Sequence, residues 1–182
     1  THKFEYNNIE SLEKIFQERE LACVIMEPMN VEYPKDGFLK GVKELAHKNN
    51  ALLILDETVT GFRYSLGGAQ ELFGVTPDLA TFGKGMANGY PLSAVVGSNE
   101  VMQKVEDIFF SGTFGGETLS LAAASKIIDK YKKEQVIEHF SEVGSYLLEK
   151  LNQLINDKNL GDIFRTSGHP SWSFLHIKEQ EK

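Results

Sequence analysis

The residues with the clearest chemical potential are a carboxylate and an amine, each set at the end of an apolar run. Leu52-Leu53-Ile54-Leu55 stops at Asp56-Glu57, and Thr81-Phe82 stops at Gly83-Lys84-Gly85. A lysine amine can condense with an aldehyde to a Schiff base. An aspartate can keep a pyridine nitrogen protonated, so that the ring withdraws electrons. Together they are what pyridoxal phosphate chemistry requires, provided the fold sets both at one edge of one sheet. The chain between them is long enough for a crossover between neighbouring parallel strands. A free lysine has a pKa of about 10.4, so such a site must lower that value or let the substrate amine displace the lysine. The rival reading of four aliphatic residues followed by Asp-Glu is a Walker B element. It fails on context, because no Gly-x-x-x-x-Gly-Lys-Ser/Thr precedes it.

The elements that must position the pair are legible from periodicity. Ile9, Leu12, Ile15 and Phe16 recur at helical spacing over 9–19, with Glu10 and Glu13 in the first turn. The run 22–26 is continuously apolar and is stopped by Glu27-Pro28, as in a strand buried on both faces of a parallel sheet. Phe38, Val42, Leu45 and Ala46 predict a helix that ends at His47, Lys48 and Asn49-Asn50. A strand over 51–55 then completes a right-handed βαβ crossover. Residues 70–73 form a helical turn, 79–82 a further strand, and 83–91 a glycine-rich loop of unusual dihedrals. The apolar run 92–97 follows too closely for a helical crossover and is expected to be antiparallel. Ser98 is expected to cap a short helix, a second glycine-rich loop spans 109–116, and an alanine-rich helix spans 119–131. From Glu134, an apolar stripe through Val136, Ile137, Phe140, Val143, Leu147, Leu151, Leu154 and Ile155 reads as a long helix packed on a core. The alternating tail 172–177 reads as a strand with no later partner, the start of a second domain.

Composition limits the partners. The chain has 182 residues, 41% hydrophobic and 25% charged, with a formal net charge of −7. That acidity, without any basic cluster interleaved with aromatics, opposes nucleic acid as a ligand. No apolar stretch approaches the ~18 residues of a membrane span, and no secretory leader pattern opens the chain. The single cysteine, Cys23, cannot form an internal disulfide and reads as a reduced core residue of a cytoplasmic protein. None of the five histidines shows metal-ligand spacing.

Three ordered blocks resemble a known family. LLILDETVTGFR (52–63), GVTPDLATFGKGMANGYPLSAVVG (74–97) and SGTFGGETLSLAAA (111–124) are similar to the class III aminotransferases. The match is closest to their glutamate-1-semialdehyde aminomutase-like branch. The resemblance implies fold type I: an α/β, three-layer α/β/α architecture with a mostly parallel sheet. Residues 1–132 would form part of the major pyridoxal-phosphate-binding domain. Residues 133–182 would form a connecting helix and the truncated start of a small α+β C-terminal domain. It implies pyridoxal 5'-phosphate as cofactor and an amino group moved between small molecules, by transamination or aminomutase isomerisation, through a Lys84 Schiff base.

By the same resemblance, Asp56 salt-bridges the pyridinium nitrogen, and Thr113, with Gly112 beside it, reaches the cofactor phosphate of the neighbouring subunit of a homodimer. Thr58 stands where the family usually has a ring-packing valine. Val59 stands where many members have a glutamine that bonds the ring hydroxyl, a contact Val59 cannot make. Glu117 stands where asparagine is common, and its role is left open. Glu27 reads as organising its loop, with a substrate role as the alternative; Arg63, Asn88 and Tyr90 read as structural or solvated. The family's phosphate-binding turn and its ring-stacking aromatic would precede Thr1, which points to a fragment. The second reading is accordingly a catalytically silent domain that cannot hold the cofactor alone. The donor, the acceptor and the choice between transaminase and aminomutase stay open.

Overall fold

A computed structural model of the chain describes residues 1–178. Four strands form one sheet in the order β1-β2-β3-β4, with β1 at Cys23–Met26, β2 at Leu52–Asp56, β3 at Leu79–Phe82 and β4 at Ala94–Gly97. β1 and β3 both pair parallel with β2, and β4 pairs antiparallel with β3, as the short connection demanded. Helix α1 (Ile9–Glu18) starts at Asn8, whose side chain accepts the Ser11 amide, and α2 (Phe38–Lys48) supplies the crossover between β1 and β2. Leu12 of α1 and Phe38, Leu39, Val42 and Ala46 of α2 pack on Val24, Leu53 and Leu55 in one buried cluster. Strand alternation puts Leu53 and Leu55 on this face, whereas Leu52, Ile54 and Asp56 point to the other face and are half-buried.

A half-buried side-chain bond ties the sheet at its base. Asp78, just before β3, accepts the Leu53 amide at 2.7 Å and meets His47 Nε2 at 2.9 Å. Partial burial pushes its pKa up. The His47 and Leu53 hydrogen bonds and the charges of His47 and Lys43 outweigh that and hold it below the ordinary aspartate value. A carboxyl with a depressed folded pKa adds stability that is complete above the unfolded value and lost as pH falls through the folded one. Asp78→Ala is expected to cost about 1–3 kcal/mol at pH 7, the penalty of stranding the Leu53 N–H. The gap to wild type should close in urea melts at acid pH, well below pH 3.8.

After β3 the chain makes a 3-10 turn at Lys84–Met86 and runs to β4. Helix α3 (Ala69–Leu72) lies between β2 and β3, and α4 (Asn99–Met102) follows β4. Helices α5 (Thr118–Lys133) and α6 (Val136–Asp157) follow, and α5 packs Ala124 against Met86 and Ala87 of the lysine turn.

Several expectations need correction. β1 is an edge strand with only Val24 buried, so Cys23 and Ile25 are exposed; a continuous apolar run does not reveal which strand lies at an edge. Ser98 precedes α4 but makes no side-chain cap; its amide bonds the Asp78 carbonyl instead. Only Ile155 of the α6 stripe is buried, and Val143, Leu147 and Leu154 are exposed. The strand expected over 172–177 is present and pairs back along the chain: β6 (Trp172–Ile177) pairs antiparallel with β5 (Phe164–His169), a strand the sequence pattern does not announce. The final four residues of the expected 133–182 unit lie outside the described residues.

Candidate functional site

Asp56 is the last residue of β2 and sits beside Thr81 in the register of β3. Its Oδ1 accepts the Thr81 hydroxyl at 2.9 Å and the Thr58 amide at 3.0 Å. Among the described residues Oδ2 takes no donor, which leaves one carboxylate oxygen for a ligand. Partial burial works to raise its pKa. Hydrogen bonding from Thr58 and Thr81 and the positive charge of Lys84 outweigh that and hold the carboxyl below the usual aspartate range. The group is therefore an anion at neutral pH and lies within electrostatic reach of Lys84.

Lys84 follows β3 by two residues and opens the 3-10 turn with φ at +39°, a left-handed conformation unusual for a residue with a Cβ. Its side chain is exposed, and no carboxylate lies within ion-pair distance of its amine among the described residues. The strain expected of the loop glycines thus falls partly elsewhere: Lys84 and Asn88 have positive φ, as does Gly89, whereas Gly83 is extended. A Cβ on Gly83 would touch the Thr58 methyl at 3.4 Å, so Thr58 and the lysine turn face each other across the strand ends.

Val59 is half-buried, and its carbonyl accepts Arg63 Nε at 3.1 Å. Gly112 and Thr113 lie on the exposed loop before α5, and a Cβ added at Gly112 meets nothing within 4 Å. The structure therefore brings Asp56, Thr58, Thr81 and Lys84 together. It records no contact of Gly112 or Thr113 with them.

Two residues that the sequence reading left without a role have clear ones. Glu57 is fully buried, and its carboxylate accepts the Ala69 amide at 2.9 Å, the Gln70 amide at 2.7 Å and the Thr60 hydroxyl. The signal was present in the period of two: Leu53, Leu55 and Glu57 share the core face, while Asp56 turns away from it. Glu57→Ala would leave two buried donors and one half-buried donor unpaired and is expected to destabilise the fold by about 1–3 kcal/mol or more, read as a lower urea midpoint. Glu117 caps α5, accepting the Leu119 amide at 2.7 Å and the Ser120 amide at 2.8 Å. Those bonds and the Ser120 hydroxyl hold its pKa below the ordinary glutamate value. An asparagine would fill the same capping position. Glu27 holds Asn30 Nδ2 with both carboxylate oxygens at 3.1 Å, in keeping with a loop-organising role.

Compared with known families, residues 2–169 match the pattern of Aminotransferase class-III. The chain belongs to the class III aminotransferases. It is 37% identical to a 3-aminobutyryl-CoA aminotransferase of Cloacimonas acidaminovorans, over 99% of this chain and 45% of that protein. It is 40% identical to a glutamate-1-semialdehyde 2,1-aminomutase of Alkaliphilus oremlandii, over 84% of this chain and 38% of that one. Its fold overlays the FumI protein of Sphingopyxis sp. MTA144, solved in its PLP internal aldimine form. The TM-score is 0.90 at 25% identity, covering 98% of this chain and 44% of that one. The chain thus spans less than half the length of these relatives.

The cofactor of class III aminotransferases is pyridoxal phosphate, and the donor set on β2 and β3 suits it. A carboxylate held ionised with one oxygen spare matches a protonated ring nitrogen, and an amine free of ion pairs matches the aldehyde. Among the described residues no helix is long and apolar enough to cross a membrane.

Proposed function

We propose that this chain is the central part of an aminotransferase or aminomutase that moves an amino group between small molecules, with Lys84 and Asp56 as its chemical pair. The observation that carries this reading is the Asp56 carboxylate at the end of β2, set beside β3, the strand that leads into Lys84. When bound, pyridoxal phosphate supplies an electron sink for carbanion character on the substrate. Lys84 Nζ would hold the cofactor through its amine and could serve as the base and acid that moves a proton at the substrate carbon. Asp56 Oδ2 would hold the ring nitrogen in its protonated form. The Thr58 methyl and the apolar Val59 would pack against the ring, and Val59 offers no hydrogen bond to the ring hydroxyl, in keeping with the aminomutase-like branch. The relatives' names span both a transaminase and an aminomutase, and this chain's pair serves either.

Gly112 and Thr113 fit a second copy: their loop is exposed, and hydroxyl and backbone N–H groups in a glycine-rich turn suit phosphate oxygens. In this reading the working form is a homodimer in which Thr113 reaches the neighbour's cofactor. Residues 1–132 are part of the cofactor-binding major domain, and 133–182 are the connecting helix and the start of a small C-terminal domain. The compartment is the cytoplasm, in keeping with a single cysteine without a disulfide partner.

The test is direct. The purified chain is incubated with pyridoxal phosphate, reduced with borohydride and digested for peptide mapping. A phosphopyridoxyl group on the peptide containing Lys84 supports the reading. No adduct on any lysine would instead establish the chain by itself as a silent domain.

A further inference from the structure

Arg63 spends its guanidinium on two distant pieces of irregular backbone. Nε donates to the Val59 carbonyl at 3.1 Å, and Nη1 donates to the Ser171 carbonyl at 3.1 Å, across 108 positions of sequence. The same group lies over the Trp172 ring, 5.1 Å from its centroid. Val59 belongs to the segment after β2, and Ser171 to the turn of the β5–β6 hairpin. Neither carbonyl has another donor among the described residues. Charge-assisted bonds from one planar fork fix both ends in a set geometry, which the freely rotating ammonium of a lysine does not impose.

The anchor is stiff. Gly61 packs so tightly that a Cβ there would overlap the Phe82 ring and the Glu57 carbonyl, and Phe62 is held at φ +58°. One residue before Val59, the Thr58 amide bonds Asp56 Oδ1. A continuous line therefore runs from the hairpin turn through Arg63, Val59 and Thr58 to the carboxylate.

We propose that Arg63 is a positioning residue that makes the setting of Asp56, Thr58 and Val59 depend on the placement of the β5–β6 hairpin. The consequence for chemistry rests on the role proposed above for Asp56, but the mechanical coupling does not. A shift of the hairpin pulls on the Val59 carbonyl and so on the turn that presents Asp56. Spatial intermediacy alone does not demonstrate coupling, so the test is a double-mutant cycle.

Amide hydrogen exchange is measured without cofactor on the 182-residue chain, on Trp172→Leu, on Arg63→Met and on the double variant. Trp172→Leu should speed exchange at Thr58, Val59, Thr60 and Gly61 by at least about fivefold where Arg63 is present, and by less than about twofold in the Arg63→Met background. Amides of α2 and β2 up to Leu55 should stay within about twofold throughout, which separates coupling from general loosening. Effects that multiply independently, or a Trp172→Leu effect confined to the hairpin, would overturn the proposal. If Arg63→Met does not fold, Arg63→Lys takes its place, since it keeps the charge but loses the fork; full coupling retained in that variant would also overturn it. Because no cofactor enters the cycle, its failure is distinct from failure of the adduct on Lys84.

Discussion

Lys84→Ala is expected to reduce the borohydride-fixed phosphopyridoxyl adduct to background while leaving the thermal midpoint nearly unchanged. The side chain is exposed and makes no hydrogen bond or ion pair among the described residues, and alanine meets the same backbone demand at φ +39°. A drop in adduct therefore reports lost chemistry and not lost folding. Any amino transfer that the protein supports should fall by at least about 10²–10⁴-fold, the usual contribution of a single positioned proton-transfer group. An adduct of undiminished yield in Lys84→Ala would show that another lysine serves and that the anchor has been misassigned.

Asp56→Asn should give the second largest effect. The asparagine oxygen can still accept the Thr58 amide and the Thr81 hydroxyl, so the fold should be retained. What disappears is the negative charge opposite the ring nitrogen. A hydrogen bond to a charged partner contributes about 1.5–3 kcal/mol, which corresponds to cofactor retention weakened by about 10–150-fold. The acid side of the binding profile should change as well. In the unaltered protein the depressed pKa keeps Asp56 ionised through the ordinary aspartate range, so its contribution to binding is lost only at more acid pH than an ordinary aspartate would allow. In Asp56→Asn the charge-dependent contribution should be absent at every pH, so the difference between the two proteins should shrink in acid. Equilibrium dialysis of pyridoxal phosphate across pH gives both numbers, and equal retention by both proteins would remove Asp56 from the site.

How much of this was legible in the residues differs from element to element. β2 and β3 were readable because short apolar runs bounded by turn residues have few alternatives, and the brevity of the link to β4 fixed its direction. Asp56 and Lys84 were readable because charge at the end of an apolar strand is costly without a purpose. Strand alternation assigns Glu57 to the core, but beside Asp56 its carboxylate is masked in the sequence by a neighbour with more evident chemistry. Cys23 and the α6 stripe were misjudged for a different reason. Periodicity tells which residues share a face but not whether anything covers it, and here the outer face of β1 and much of α6 lie bare. The β5–β6 pairing was missed because Phe164–His169 carries Arg165, Ser167 and Gly168, a weak strand pattern on its own. Arg63 looked unremarkable in the sequence, since neither of its carbonyl partners is encoded by a side chain.

The uncovered apolar surface governs how the chain behaves in a tube. Phe109 is 96% exposed, Phe110 and Phe114 lie close by in the chain, and Val143 and Leu147 are bare on α6. Only mutual repulsion among molecules carrying a net charge of −7 opposes their clumping. That protection fades as the medium approaches the isoelectric point near 5.3. Turbidity should accordingly rise first in mildly acidic, high-salt buffers, long before the secondary structure melts, and alkaline, dilute storage should keep the preparation clear.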